Sequence, residues 1–350
     1  MNLSDLGKDV LHVSFNQENT CLAVATETGF FVCDVNPLKL RFIRNFDEGI
    51  GIIEMLFRCN ILALVGGGRR PKYPLNCVML WDDHQEKKIA ELEFRTDVKA
   101  VKMRKDCIIV ALENKVYMYN FEDLRLLRQF DTCNATLGVV SMSLSHPVVL
   151  AIPSTTPGHV LIEKRNFAIM DSDRSEPTII PVTQSPISQL ELNQLGVKLA
   201  VTSMKGTVVR VIDLMTNTEE RFRRGTTPAI IQCLAFSLDS SMLACTSNRG
   251  TVHIFQLDVE YKQNLALGSI LKITGGDEKR AVIHFQIPED NSICAFVPKG
   301  PEDDQSEDSK ILVVLGGSGG YYKFKVFNEN RKWKALELNK GSKLSYFDVS

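Results

Sequence analysis

Two short stretches, TSMKGTVVR (202–210) and TSNRGTVHI (246–254), repeat one arrangement: a serine, a basic residue two positions on, then Gly-Thr. The first supplies Ser203, Lys205 and Thr207, followed by Arg210; the second supplies Ser247, Arg249 and Thr251, followed by His253. Hydroxyls beside fixed cations are what phosphate oxygens need, because charge-assisted hydrogen bonds are short and strong. Between the two stretches lies EERFRRGTT (219–227), which places Arg221, Arg223 and Arg224 within four positions. In extended chain, neighbouring side chains leave opposite sides. Arg223 and Arg224 are therefore expected to serve two anionic pockets, one each, and the planar guanidinium fork suits bidentate phosphate binding. Either Ser-basic-Gly-Thr set alone reads as a turn bonding its own backbone beside a solvated cation. Two sets flanking a diarginine favour paired sites.

Such sets need elements to hold them. The chain has 350 residues, 44% hydrophobic and 24% charged, with a formal net charge of -1. That composition fits a globular protein with a sizeable core, and the near-neutral charge argues against a strongly basic nucleic-acid binder. Attraction to an anionic partner must come from a local patch. Nine cysteines sit mostly in apolar runs such as TCLAVAT and MLACTS, without CxxC or Cys/His ligand spacing. Reduced thiols are expected, with no zinc site, metal or cofactor. The start, MNLSDLGKDVLHVSF, has no apolar signal core, and no run reaches the roughly 18 apolar residues of a spanning helix. A cytosolic protein that meets membranes from outside is expected.

Short apolar or alternating runs rich in Val, Ile, Phe and Tyr recur along the chain, separated by Gly, Asn, Asp, Pro and Ser turns. Helical periodicity is almost absent. The chain reads as all-β. A unit also repeats: FNQENTCLAVATETGFFVCDV (15–35), LNQLGVKLAVTSMKGTVVRVIDL (192–214) and FSLDSSMLACTSNRGTVHIFQL (236–257), with a degenerate copy ending in Trp81-Asp82. At a period of about 40–50 residues, the chain accommodates seven blades of a single-domain, WD-type β-propeller. Soft boundaries fall at 9–45, 46–94, 95–131, 132–183, 184–226, 227–280 and 281–350. Three connections interrupt the pattern: the basic GGGRRPKYPLN (66–76), the segment 258–280 with its apolar centre LALGSIL, and the acidic PKGPEDDQSEDSK (298–310), expected to be a mobile excursion. GGSGGYYKF (316–324) reads as a tight hairpin turn, not a nucleotide loop, since no helix pattern follows it.

With Phe222-Arg223-Arg224-Gly225 in this setting, the chain resembles the PROPPINs, β-propellers that carry an FRRG motif and bind polyphosphoinositides. The likeness covers nearly the whole chain: LALVGGG…PKYPLNCVMLWDD resembles the family's second blade, and SMKGTVVRVID and SNRGTVHIFQL its fifth and sixth. The resemblance implies two rim sites for phosphatidylinositol 3-phosphate and phosphatidylinositol 3,5-bisphosphate. Arg223 would join Ser203, Lys205, Thr207 and Arg210; Arg224 would join Ser247, Arg249, Thr251 and His253. Family members often carry a histidine before the Ser-Pro that opens the fifth blade, where this chain has Thr183, so any contact made by that histidine is missing here. His253 reads on its own as a core histidine, and only the motif makes it a ligand.

The resemblance also implies that segment 258–280 dips into the bilayer. It carries Leu265, Leu267, Ile270 and Leu271 among lysines, an interfacial pattern; a loop packed on its own propeller, or a short buried helix, is the equal alternative. By the same likeness, Arg69, Arg70 and Lys72 are candidates for contact with autophagy or trafficking proteins. The expectation is a monomeric, non-enzymatic effector, cytoplasmic and peripherally bound to vacuolar, endosomal or preautophagosomal membranes. The rivals are a WD-type scaffold that binds proteins alone, and an enzyme with a propeller cleft, for which no nucleophile or metal set stands out.

Overall fold

The computed structural model describes residues 9–133, 138–167, 176–257, 272–273, 278–339 and 342–343. Every regular element among them is a strand, and the strands form seven sheets, each built on antiparallel strands, the blades of a seven-bladed β-propeller. Contacts group the chain into two compact units: 1–138 with 295–327 and 335–350, and 139–294 with 328–334. The single-domain expectation thus meets a chain with two contact units.

The first sheet shows how composition builds a blade. Its second strand, Cys21–Thr26, is buried at every position, whereas its last, Lys39–Asn45, alternates exposed and half-buried residues. A strand covered on both faces reads as a continuous apolar run. A sheet edge carries lysines and arginines that deter pairing with other chains. The same contrast separates Ile61–Gly66 from Lys87–Glu93 in the second sheet.

The 139–294 unit holds the fourth, fifth and sixth sheets and all the motif residues. The fifth comprises Ile187–Leu192, Lys198–Ser203, Val208–Asp213 and Thr218–Arg223. The sixth comprises Ile231–Phe236, Met242–Ser247, Thr251–Gln256 and Ile283–Gln286. One face of the fifth packs on the fourth through Leu199, Val201, Ile212, Val149, Ala151 and Val160. Its other face meets the sixth through Val209, Val211, Phe222, Leu243, Cys245 and Phe255. Phe222 is fully buried, with its ring 5.2 Å from that of Phe255.

Two expectations need correction. The strand Ile283–Gln286, assigned by spacing to the seventh repeat, is the outer strand of the sixth sheet, paired with Thr251–Gln256. The long connection before it interrupts a blade instead of separating two. Nor is the acidic stretch 298–310 a loose excursion. Asp303 is buried, 2.6 Å from Lys323 Nζ and 2.6 Å from Asn36 Nδ2, and Asp304 pairs with Lys325 at 2.6 Å. Lysines on the adjoining strand, Gly320–Glu329, consume the acidic charge. The glycine-rich 316–319 forms a tight hairpin, with Gly319 N–H donating to the Gly316 carbonyl.

Candidate functional site

The two Ser-basic-Gly-Thr sets occupy matching turns, each joining the second and third strands of its sheet. In the fifth sheet four residues (204–207) make the turn, in the sixth only three (248–250). That extra residue shifts the register. Val201 pairs with Arg210 in the fifth sheet, as Cys245 pairs with His253 in the sixth. Arg210 and His253, one position apart when the motifs are aligned, therefore stand on the same rung of their sheets. Side chains of one face recur at every second residue. Ser203 thus shares a face with Arg210, and Ser247 with Thr251 and His253.

Glycine is required in both turns. Gly206 has φ +60°, and a Cβ there would lie 1.9 Å from the Ala229 carbonyl oxygen; Gly250 has φ +66°. Only glycine holds this left-handed backbone at little cost. The linker after Gly225 clasps both turns. Ala229 N–H donates to the Lys205 carbonyl, and Ile230 and Asn248 exchange two hydrogen bonds of 3.0 Å. Arg249 Nε donates to the Pro228 carbonyl at 3.2 Å.

The adjacent arginines diverge. Phe222, between Arg221 and Arg223, points into the core shared with the sixth sheet, so Arg221 and Arg223 lie on the opposite face with Glu219 and Arg210. Arg223 is half-exposed and pairs with the Glu278 carboxylate. Arg210 Nη1 donates to the buried Glu219 carboxylate at 2.5 Å, and Arg221 Nε to the same oxygen at 2.8 Å. Both arginines of the first set are therefore matched by acids. Lys205 is exposed and, among the described residues, its ammonium has no partner.

Arg224 sits on the other side and is buried. Its Nε donates to the Gly206 carbonyl at 2.8 Å and its Nη2 to the Thr227 carbonyl at 2.5 Å. Burial lowers its pKa from the ordinary value, with Cys245 opposing and Arg249 adding. By alternation it lies on the Phe222 face, the one turned to the sixth sheet. His253, 9% exposed, has its pKa pushed down to about 4 by burial, with Arg224 and then His284 contributing. It is neutral at pH 7. Its ring lies nearly parallel to those of Phe255 and His284, with centroids 6.3 and 6.1 Å away. Ser247 is fully buried, and among the described residues its hydroxyl has no hydrogen-bond partner. An unsatisfied buried hydroxyl costs about 1–3 kcal/mol. Thr251 is half-buried, and its hydroxyl reaches the Arg249 carbonyl at 3.5 Å.

The arrangement can bind anions on each face of the strand that ends at Arg223, with hydroxyls and cations but no nucleophile–base pair. No group of three or more metal-ligating side chains occurs among the described residues, and none of their helices is long and apolar enough to cross a membrane. Thr183 bonds locally, its hydroxyl donating to the Ser185 carbonyl at 2.5 Å. Sequence reasoning missed Glu219 and Glu278. Glu219 shares the face of Arg221 by simple alternation and was readable. Glu278 lies far along the chain from Arg223, and no local pattern announces it. Leu265, Leu267, Ile270 and Leu271 fall outside the described residues.

In the basic hairpin, Arg69 and Arg70 are exposed, whereas Lys72 pairs with Glu48 at 2.8 Å and lies over the Phe46 ring.

The PROPPIN family profile matches residues 10–264. A relative named SVP1-like protein 2 from Schizosaccharomyces pombe is 36% identical over 70% of this chain and 67% of its own. Autophagy-related protein 21 of Pichia angusta is 28% identical over 89% of this chain and 78% of its own. Among solved structures, Kluyveromyces lactis Hsv2 with its complete loop 6CD superposes with a TM-score of 0.77 at 20% identity, covering 96% of this chain and 99% of that one. KlAtg21, solved in complex with the coiled coil of AgAtg16, gives 0.72 at 22%, with the same coverage.

Proposed function

Since the chain belongs to the PROPPIN family, we propose that it is a non-enzymatic phosphoinositide effector that brings autophagy or trafficking proteins to membranes. Its two pockets take the headgroups of phosphatidylinositol 3-phosphate and phosphatidylinositol 3,5-bisphosphate. Ser203, Lys205, Thr207, Arg210 and Arg223 serve the first; Arg224, Ser247, Arg249, Thr251 and His253 serve the second. The observation that carries this reading is Arg224, on the face turned to the sixth sheet and, among the described residues, bonded only to carbonyl oxygens, with the Ser247 hydroxyl unpartnered among those residues. Headgroup phosphate oxygens accept from hydroxyl and guanidinium donors, the charge-assisted pattern such groups favour. Two weak sites on one protein add their effects through a shared membrane. Leu265, Leu267, Ile270 and Leu271 would add apolar anchoring.

The protein works in the cytoplasm and attaches peripherally to vacuolar, endosomal or preautophagosomal membranes. KlAtg21, of the same fold, was solved with a coiled-coil partner. A helical protein partner therefore suits this chain, with exposed Arg69 and Arg70 available to its acidic side chains.

Vesicle flotation tests the lipid reading. Wild type should float with vesicles bearing a 3-phosphate and remain behind with phosphatidylinositol alone. Arg223→Thr/Arg224→Thr should lose flotation while keeping its melting temperature within a few degrees. Equal flotation of the double variant would leave Arg223 and Arg224 with structural roles alone and the protein as a scaffold that binds only proteins.

A further inference from the structure

The first pocket already contains an anion. Glu278 emerges from the 258–277 connection just ahead of the short strand Lys279–Arg280, which runs parallel to Thr218–Arg223 and sets Lys279 beside Phe222 and Arg280 beside Arg223. Upstream, Lys272–Ile273 pairs in the same sense with Thr218 and Glu219. Lys279 is tied down as well, 2.8 Å from the Glu220 carboxylate and with its ammonium 5.8 Å from the centre of the Phe222 ring. So Lys272–Ile273 and Lys279–Arg280 are stitched to the outer edge of the fifth sheet, and the Glu278 carboxylate is held against the Arg223 guanidinium. The two side chains are 41% and 30% exposed, open to a ligand from solvent.

The second pocket differs. Arg224 is bonded only to carbonyl oxygens, and Arg249 donates to one; among the described residues no acid pairs with either. We propose that Glu278 is an internal competitor for the anion site at Arg223, so that the two pockets have unequal affinities and the second fills first. The inference rests on the anion-binding reading above. The competing chemistry is that of any phosphomonoester, free or on a lipid. Because the carboxylate must leave Arg223 before phosphate can take its place, the first pocket is weakened by the strength of that pair. A half-exposed ion pair of this kind is worth about a three- to five-fold change in affinity. The first pocket then engages only where phosphate is dense, as on a membrane to which the second pocket is already bound.

The test is isothermal titration of wild type, Glu278→Gln and Glu278→Asp with soluble inositol 1,3-bisphosphate and with inorganic phosphate, alongside flotation on vesicles with and without a 3-phosphate. Wild type should show one stronger and one weaker site for the inositol phosphate. Glu278→Gln should tighten the weaker site roughly three- to five-fold and leave the stronger one unchanged. The gain should shrink in high salt, while Glu278→Asp, which keeps the charge, should stay nearer wild type. A response to inorganic phosphate alone would assign the pocket to the free ion, and a gain confined to 3-phosphate vesicles to the lipid. Unchanged or weaker binding by Glu278→Gln, with wild type still binding, sinks the competitor role alone. If no protein binds headgroup in solution or on vesicles, the lipid reading falls and this inference with it.

Discussion

At the scale of single residues, a buried histidine and a strained glycine carry the sharpest expectations. His253 titrates near 4 in the folded protein against an ordinary 6.5. A lowered folded value means that the unfolded chain binds the proton first. Stability contributed by neutral His253 is therefore complete above about pH 6.5 and is lost as pH falls toward 4, by roughly 2–3 kcal/mol. Urea denaturation at pH 7 and pH 4.5 should show a smaller loss in His253→Asn than in wild type. Gly206→Ala should cost about 1–2 kcal/mol from its left-handed backbone alone, plus the collision with Ala229. A thermal melt would register the loss, and headgroup titration should show the first pocket losing more affinity than the second. Little of this was legible beforehand. The Ser-basic-Gly-Thr set reads as a turn, but the close approach of the Ala229 carbonyl to Gly206 is assembled only in the folded chain.

Among the elements, the strand Thr218–Arg223 carries the most consequence, since it orients both arginines. Its anchor is Phe222, fully buried against Phe255. Phe222→Ala should cost about 3–5 kcal/mol and weaken both pockets together, whereas Arg223→Thr or Arg224→Thr should each weaken mainly one. Denaturant titration combined with two-site calorimetry separates these outcomes. Alternation along an extended strand was enough to foresee the divergence of the arginines, because a period of two depends on backbone geometry alone. It could not foresee that Arg210 and Arg221 converge on Glu219, nor that an additional turn residue restores the match between Arg210 and His253. Such features depend on register, and register is set by the partner strands. The misassigned strand Ile283–Gln286 has the same origin: its sequence is an ordinary outer strand, and the long connection ahead of it resembled a boundary.

For the molecule as a whole, a formal net charge of -1 leaves attraction to anionic membranes to local clusters. Vesicle binding should therefore weaken steeply as salt rises from 50 to about 500 mM, where screening shortens to a few ångströms. The melting temperature should change little over the same range, because the cores in both compact units are apolar. Flotation and melting across a salt series check this directly. The seven-sheet plan was readable because each blade repeats a buried inner strand and a polar outer one. The bond from Arg224 Nε to the carbonyl of Gly206 has a thermodynamic consequence. The guanidinium that serves one pocket helps to fix the turn of the other. A headgroup that drew Arg224 away from that carbonyl would alter the neighbouring turn, and by linkage a ligand in the first pocket must change affinity at the second by the same factor. In the proposed reading the two pockets would form a coupled pair, responding to the density of headgroups as well as to their presence.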